Sequence, residues 1–153
     1  MYAPIVEIVF SVHKNPAART TVLDVLKSVP GVTLLEPVDY PTLLVLMEHS
    51  YFILTDSGGI QEEAPSLGKP VLVLRKTTER PEGVDAGAAK IVGTNFESVY
   101  ENAARLLKNP DVYDSMSKAV NPYGDGQAAR RTAQAILYHF SQTNRKPDEF
   151  TPR

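Results

Sequence analysis

Apolar positions along this chain fall into two alternating kinds of segment. Residues 5–12 (IVEIVFSV), 32–35 (VTLL), 51–55 (YFILT), 70–74 (PVLVL) and 89–92 (AKIV) are short runs rich in β-branched side chains, and they predict strands, the first of them buried. Between them the apolar spacing is helical. After Asn15-Pro16, a capping residue followed by proline at the first helical position, Ala18, Val22, Val25, Leu26 and Val29 share a face until Pro30-Gly31 stops the helix. Residues 41–48 predict a short helix, and QEEAPSLG, between the third and fourth strands, is long enough for another. In the last third, Thr94 and Glu97 match a capping box, followed by Phe96, Val99, Tyr100, Ala103 and Leu107 on one helical face. A further long helix carries Ala129, Ala133, Ile136, Leu137 and Phe140, and residues 142–153 form a polar tail.

Strands alternating with helices at this spacing predict an α/β domain over residues 1–141, a Rossmann-like doubly wound parallel sheet with helices on both faces. Right-handed crossovers would bring every strand's carboxyl end to one edge, where such sheets bind ligands. Chemistry is therefore expected just after Val12, Leu35, Thr55, Leu74 and Val92.

Composition removes several alternatives. At 153 residues the chain is long enough for one domain with its own core. With no cysteine, disulfides, thiolate catalysis and zinc–sulfur sites are excluded. A net charge of −2 offers no electrostatic reason to bind nucleic acid or an anionic membrane. No apolar run approaches the ~20 residues of a membrane span, and no signal peptide is expected at the start, so the expected compartment is the cytoplasm.

Among the strand ends, Thr55-Asp56-Ser57-Gly58-Gly59 carries the strongest signal. Paired glycines permit a sharp turn and close approach of a ligand to the main chain, and the next helix presents free N–H groups and the positive end of its dipole. The run reads either as a phosphate seat with Ser57 adding a hydroxyl, or as a tight turn without a ligand. A protease reading of Asp-Ser-Gly-Gly fails, because the surroundings are βα and G-x-S-x-G lacks its first glycine. Glu62 and Glu63 follow in the first turns of the helix, where carboxylates are favourable in themselves, or where one of them accepts from ribose hydroxyls. The loop from Arg75 to Gly83 is either solvated surface or a clamp for oxyanions, with arginine suited to bidentate binding. His13 lies on the same edge, as a structural or a ligand-lining side chain, and Asp125 is placed to cap the final helix.

Four ordered motifs together resemble the C-terminal half of the non-hydrolysing UDP-N-acetylglucosamine 2-epimerases, over roughly residues 4–140. They are Val12-His13-Lys14-Asn15-Pro16; the run TDSGGIQEEAPSLG from Thr55 to Gly68; Thr77-Thr78-Glu79-Arg80-Pro81-Glu82; and Asn121-Pro122-Tyr123-Gly124-Asp125-Gly126. The resemblance implies one half of a glycosyltransferase-B type architecture. It implies that Ser57, Gly58 and Gly59 hold a diphosphate, Glu63 a ribose, and Arg80 the phosphate or sugar side of UDP. Residues 36–43 would form the uracil pocket, with Val38 contributing its backbone and Leu43 standing where the family often has a ring against the base. His13 would line the same site. The implied reaction interconverts UDP-N-acetylglucosamine and UDP-N-acetylmannosamine without metal or redox cofactor. Its catalytic groups are expected on an N-terminal domain outside this chain, with the full-length protein a homodimer. A UDP-sugar glycosyltransferase half, or a UDP-binding module with no activity of its own, are the other readings.

Overall fold

A computed structural model describes residues 6–152; Ile5, the expected start of the first strand, lies outside them. The order of elements is β1 (Ile8–Ser11), α1 (Pro16–Leu26), β2 (Val32–Leu35), α2 (Tyr40–His49), β3 (Ile53–Thr55), α3 (Gly58–Ser66), β4 (Val71–Val73), α4 (Pro81–Asp85), β5 (Ala89–Ile91), α5 (Phe96–Lys108), α6 (Pro110–Ser117) and α7 (Ala128–His139). The chain divides into two compact units, the first ending at Leu46 and the second beginning at Met47. The five strands read from the sequence are all present, and they form one parallel ladder in each unit, β1–β2 and β3–β4–β5.

In the first unit, β1 and β2 pair from Ile8 opposite Val32 to Ser11 opposite Leu35. Asn15 caps α1 as expected, its side chain accepting the Ala17 N–H at 3.1 Å ahead of Pro16. Gly31 turns the chain into β2 with φ +80°, a conformation that a side chain disfavours. The expectation of a buried first strand is not met: Ile8, Val9 and Phe10 are 46%, 47% and 37% exposed. No side chain of α1 is fully buried either, so this two-stranded ladder lacks the sealed second layer that a buried strand requires.

The second unit has the core. Central strand β4 is buried on both faces, with Val71, Leu72 and Val73 at 0–1% exposure. Alternation sends Val71 and Val73 to one face, against Ala64 of α3 and Ala89, flanked by Ile53, Ile60 and Val84. Leu72 points the other way, to Val92 and to Leu106 of α5, with Val112 and Met116 of α6 around them. Helices on both faces make the ladder doubly wound and explain why β4 is apolar at every position. Each fully buried valine or leucine of this kind stabilises the fold by about 1.5–3 kcal/mol.

Three helical expectations need correction. The cap of α5 is Asn95, which accepts the Ser98 N–H at 2.9 Å, one residue along from the Thr94–Glu97 box. The buried stripe is accordingly Val99, Ala103 and Leu106, while Phe96 and Tyr100 face outward and stack on each other at 5.7 Å. The expected apolar face of α7 is not buried: Ile136, Leu137 and Phe140 are 53%, 49% and 65% exposed. Helix α6, capped by Asn109, and the five-residue α4 were not expected; α4 is too short for any periodicity to announce it. The tail runs beside α7, with Asp148 within 3.3 Å of Arg130 and the Arg131 guanidinium 5.7 Å from the Phe150 ring centroid.

Candidate functional site

The chemistry of the second unit gathers at the carboxyl ends of β3 and β4. Thr55 closes β3, and its hydroxyl accepts the Ser57 N–H at 3.0 Å. That bond holds Ser57 extended (φ −81°, ψ 128°) as the N-cap of α3, yet the Ser57 hydroxyl makes no capping bond of its own. Its carbonyl accepts the Gln61 N–H at 3.2 Å and starts the helix. Gly58 and Gly59 are therefore the first helical residues and not a sharp turn before the helix, and neither has a positive φ. Their glycine character matters for space. A Cβ on Gly58 would stand 2.7 Å from Glu79 Oε1 and 3.7 Å from an Arg80 Nη, whereas Gly59 has only Ser57 Oγ, at 3.9 Å. The amino end of α3 thus carries N–H groups free of a serine cap and without a side chain at Gly58 or Gly59, with the Glu79 carboxylate nearest Gly58 and the Arg80 guanidinium next to it, a composition that suits an oxyanion where Glu79 swings aside.

The adjacent carboxylates have different fates. Glu62 pairs with Arg80 Nε, and this hydrogen bond raises the Arg80 pKa further above its ordinary value, so the guanidinium is cationic at any physiological pH. Glu63 Oε2 is buried without a hydrogen-bond partner. An orphaned buried acceptor is uncommon and costs free energy, which marks it as a group waiting for a donor. In the following loop Arg75 pairs with Glu79 at 2.6 Å, and an Arg80 Nη donates to the Glu79 carbonyl at 3.1 Å.

Sequence reasoning passed over four neutral side chains here. Gln61 is 1% exposed; its Nε2 donates to the Ser57 carbonyl at 3.2 Å and its Oε1 accepts the Thr78 hydroxyl at 2.5 Å. Thr78 Oγ1 in turn accepts the Arg80 N–H at 3.0 Å. Tyr123 accepts the Gly83 N–H at 2.9 Å and donates to the Arg80 carbonyl at 3.4 Å, with burial raising its phenol pKa. Asn121 reaches Ser66 Oγ at 2.9 Å. All four lie inside the motifs given earlier, but charge and glycine content drew attention to their neighbours instead.

Of the remaining expected site residues, His13, Val38 and Leu43 belong to the first unit. His13 is exposed just after β1, and its Nδ1 accepts the Asn15 N–H at 3.1 Å, which leaves the proton of the neutral ring on Nε2. Val38 and Leu43, both half-buried, flank the start of α2. There Asp39 accepts the Thr42 N–H at 3.0 Å through its side chain and the Leu43 N–H at 3.0 Å through its carbonyl. The hydrogen bonds from Thr42, its side chain foremost and then its backbone N–H, lower the Asp39 pKa.

A parallel ladder covered on both faces, with a glycine-led helix at its carboxyl edge, defines a Rossmann-like domain of the glycosyltransferase-B type. Within that class the sequence profile of the UDP-N-acetylglucosamine 2-epimerases matches residues 2–137, and the chain belongs to that family. It is 51% identical over 146 residues to the UDP-N-acetylglucosamine 2-epimerase of Bacillus subtilis, across 95% of this chain and 38% of that protein. The S. aureus MnaA–UDP co-structure superimposes with a TM-score of 0.90 at 48% identity, covering 95% of this chain and 40% of that one. The Neisseria meningitidis UDP-GlcNAc 2-epimerase bound to UDP-GlcNAc gives 0.85 at 47% identity, over 88% of this chain and 36% of that one. The chain therefore spans about two fifths or less of the length of these relatives.

Proposed function

We propose that this chain is the UDP-binding half of an enzyme that interconverts UDP-N-acetylglucosamine and UDP-N-acetylmannosamine. The observation that carries the reading is the convergence at Gly58 of an uncapped helix amino end and the Arg80 guanidinium. Ser57, Gly58 and Gly59 hold the diphosphate, Arg80 offsets its charge, and the orphaned Glu63 carboxylate oxygen accepts from the ribose hydroxyls. The family resemblance assigns Val38 and Leu43, on the first unit, to uracil and His13 to ligand contact. Support comes also from relatives whose structures are described as bound to UDP and to UDP-GlcNAc.

In the reaction, loss of the C2 proton and cleavage of the C1–O bond release UDP and leave a glycal. UDP then adds back at C1 while C2 takes a proton on the opposite face. The part played by this chain is electrostatic: the α3 amide groups and Arg80 stabilise the negative charge that grows on the departing diphosphate. The acid and base that serve C2 lie on the N-terminal domain, and the whole protein works as a cytoplasmic homodimer. Residues 1–141 form the binding domain and 142–153 its tail; no helix among the described residues is long and apolar enough to cross a membrane.

Calorimetry of the chain with UDP and uridine tests the binding, with UDP the tighter ligand. NMR of the chain incubated with UDP-N-acetylglucosamine should show no C2 epimer. Absence of saturable UDP binding overturns the first part, and turnover by the chain alone overturns the division of labour.

A further inference from the structure

Gln61 is the largest fully buried polar side chain described in the second unit, and the oxyanion seat as drawn above gives it no task. Its amide orientation is dictated by its neighbours. The Ser57 carbonyl can only accept, so it faces Nε2. The Thr78 hydroxyl has one proton, and because its oxygen already accepts the Arg80 N–H, that proton goes to Gln61 Oε1. A single directed chain of hydrogen bonds therefore runs from the cap of α3 through Gln61 and Thr78 to the backbone of Arg80. At both ends it terminates on residues of the oxyanion seat.

We propose that Gln61 and Thr78 are positioning residues that set Arg80 in register with the amino end of α3, so that amides and guanidinium meet one diphosphate together. The proposal rests on the nucleotide reading above and adds to it a device for geometry. Arg80 carries a long, flexible side chain, and Glu62 and the Glu79 carbonyl already compete for its donors. With its backbone anchored, the guanidinium pairs with Glu62 and still stands beside Gly58; released, only Glu62 holds it. Position is decisive because a charge-assisted, bidentate contact to phosphate loses most of its strength with small displacements.

The test uses the full chain and four variants: Gln61→Met, Thr78→Val, Thr78→Ser, and Gln61→Met with Thr78→Val. Affinities for UDP and for uridine are measured by calorimetry, thermal midpoints by melting, and exchange of the Arg80 amide proton by NMR. Gln61→Met and Thr78→Val should each weaken UDP binding about tenfold or more, the size expected for one hydrogen bond to a charged group. Uridine affinity should stay level and Arg80 N–H exchange should accelerate. Thr78→Ser keeps the hydroxyl and should keep wild-type values. The double variant removes both buried partners, so its midpoint should recover relative to Gln61→Met while its UDP affinity stays low; affinity that recovers along with the midpoint would reduce the chain to a packing feature and overturn the proposal. An unchanged ratio of UDP to uridine affinity in both single variants overturns it too. A wild-type chain with no preference for UDP over uridine overturns the nucleotide reading itself, and this proposal with it.

Discussion

At the scale of single residues, Gly58 and Glu63 show how a site can disagree with the most stable arrangement. Adding a methyl at Gly58 sets it 2.7 Å from Glu79 Oε1. That oxygen is the far end of an exposed side chain and can swing away, and alanine is the better helix former, so Gly58→Ala should leave stability within about 1 kcal/mol of wild type. In the proposed site the same methyl stands in the path of a phosphate toward the α3 amides, so UDP affinity should fall at least tenfold in calorimetry. Equal loss of both properties would mean that the glycine serves packing. Glu63 gives the complementary case. Its buried Oε2 lacks a partner, so Glu63→Ala should hold or raise the thermal midpoint while weakening UDP by about 10- to 100-fold, the worth of hydrogen bonds to a charged group. Glu62→Ala should act differently, because Glu62 is occupied by Arg80. If Glu62→Ala abolished UDP binding and Glu63→Ala left it intact, the two roles would be exchanged.

At the scale of elements, the docking of the loop around Tyr123 onto the start of α4 makes one hydrogen-bonded body out of two motifs some 40 residues apart in sequence. Gly83 is the contact point. A Cβ there would lie 2.5 Å from the Tyr123 hydroxyl oxygen and 3.3 and 3.4 Å from two ring carbons. Unlike the Glu79 carboxylate, an aromatic ring held by two hydrogen bonds cannot rotate out of the way without losing them. Gly83→Ala should therefore destabilise the chain by about 1–3 kcal/mol, the usual cost of overpacking, read as a lower denaturant midpoint with an unchanged slope. A midpoint at the wild-type value would show that α4 shifts freely and that this loop is not docked in solution.

At the scale of the whole molecule, acid stability offers a test of how the segment before α7 is tied down. Arg131 holds both Asp125 carboxylate oxygens at 2.7 Å, and the Gln127 N–H donates to one of them at 3.0 Å. Arg131 is the larger cause of a carboxyl pKa held well below its usual range. A depressed folded value means that the unfolded chain binds more protons at intermediate pH. The pair's contribution is therefore complete above the ordinary aspartate pKa of about 3.9, and it is lost as pH falls through the lower folded value. The thermal midpoint of Asp125→Asn should lie below wild type at neutral pH, by a small margin because the pair is at the surface, and the gap should close on acidification below about pH 4. A gap that widened in acid would reverse the sign and exclude the Arg131 pairing as its cause.

Much of this protein was legible in the order of its residues. Strand positions, the Asn15-Pro16 start of α1 and the placement of Ser57-Gly58-Gly59 where β3 gives way to α3 depend on local pattern and backbone preference, which neighbouring residues carry in full. The helix-end part of the candidate anion seat, Ser57, Gly58 and Gly59, could be picked out for the same reason, since these residues are contiguous, whereas the nearness of Arg80 could not. What pattern could not decide were matters of distance in space. Which stripe of α5 is buried depended on a cap one residue along, at Asn95. Whether β1 and α7 are covered depended on what stands against them, and apolar composition alone does not supply a partner. That Glu62 is paired while Glu63 Oε2 has no hydrogen-bond partner depended on Arg80, distant from both in sequence. The chain through Gln61 and Thr78 exists only because tertiary folding brings a helix and a loop to hydrogen-bonding distance. Local periodicity thus determined which elements form and in what order. Contacts between elements, whose strength falls off within a few ångströms, decided which polar side chains find partners and which, like Glu63 Oε2, do not.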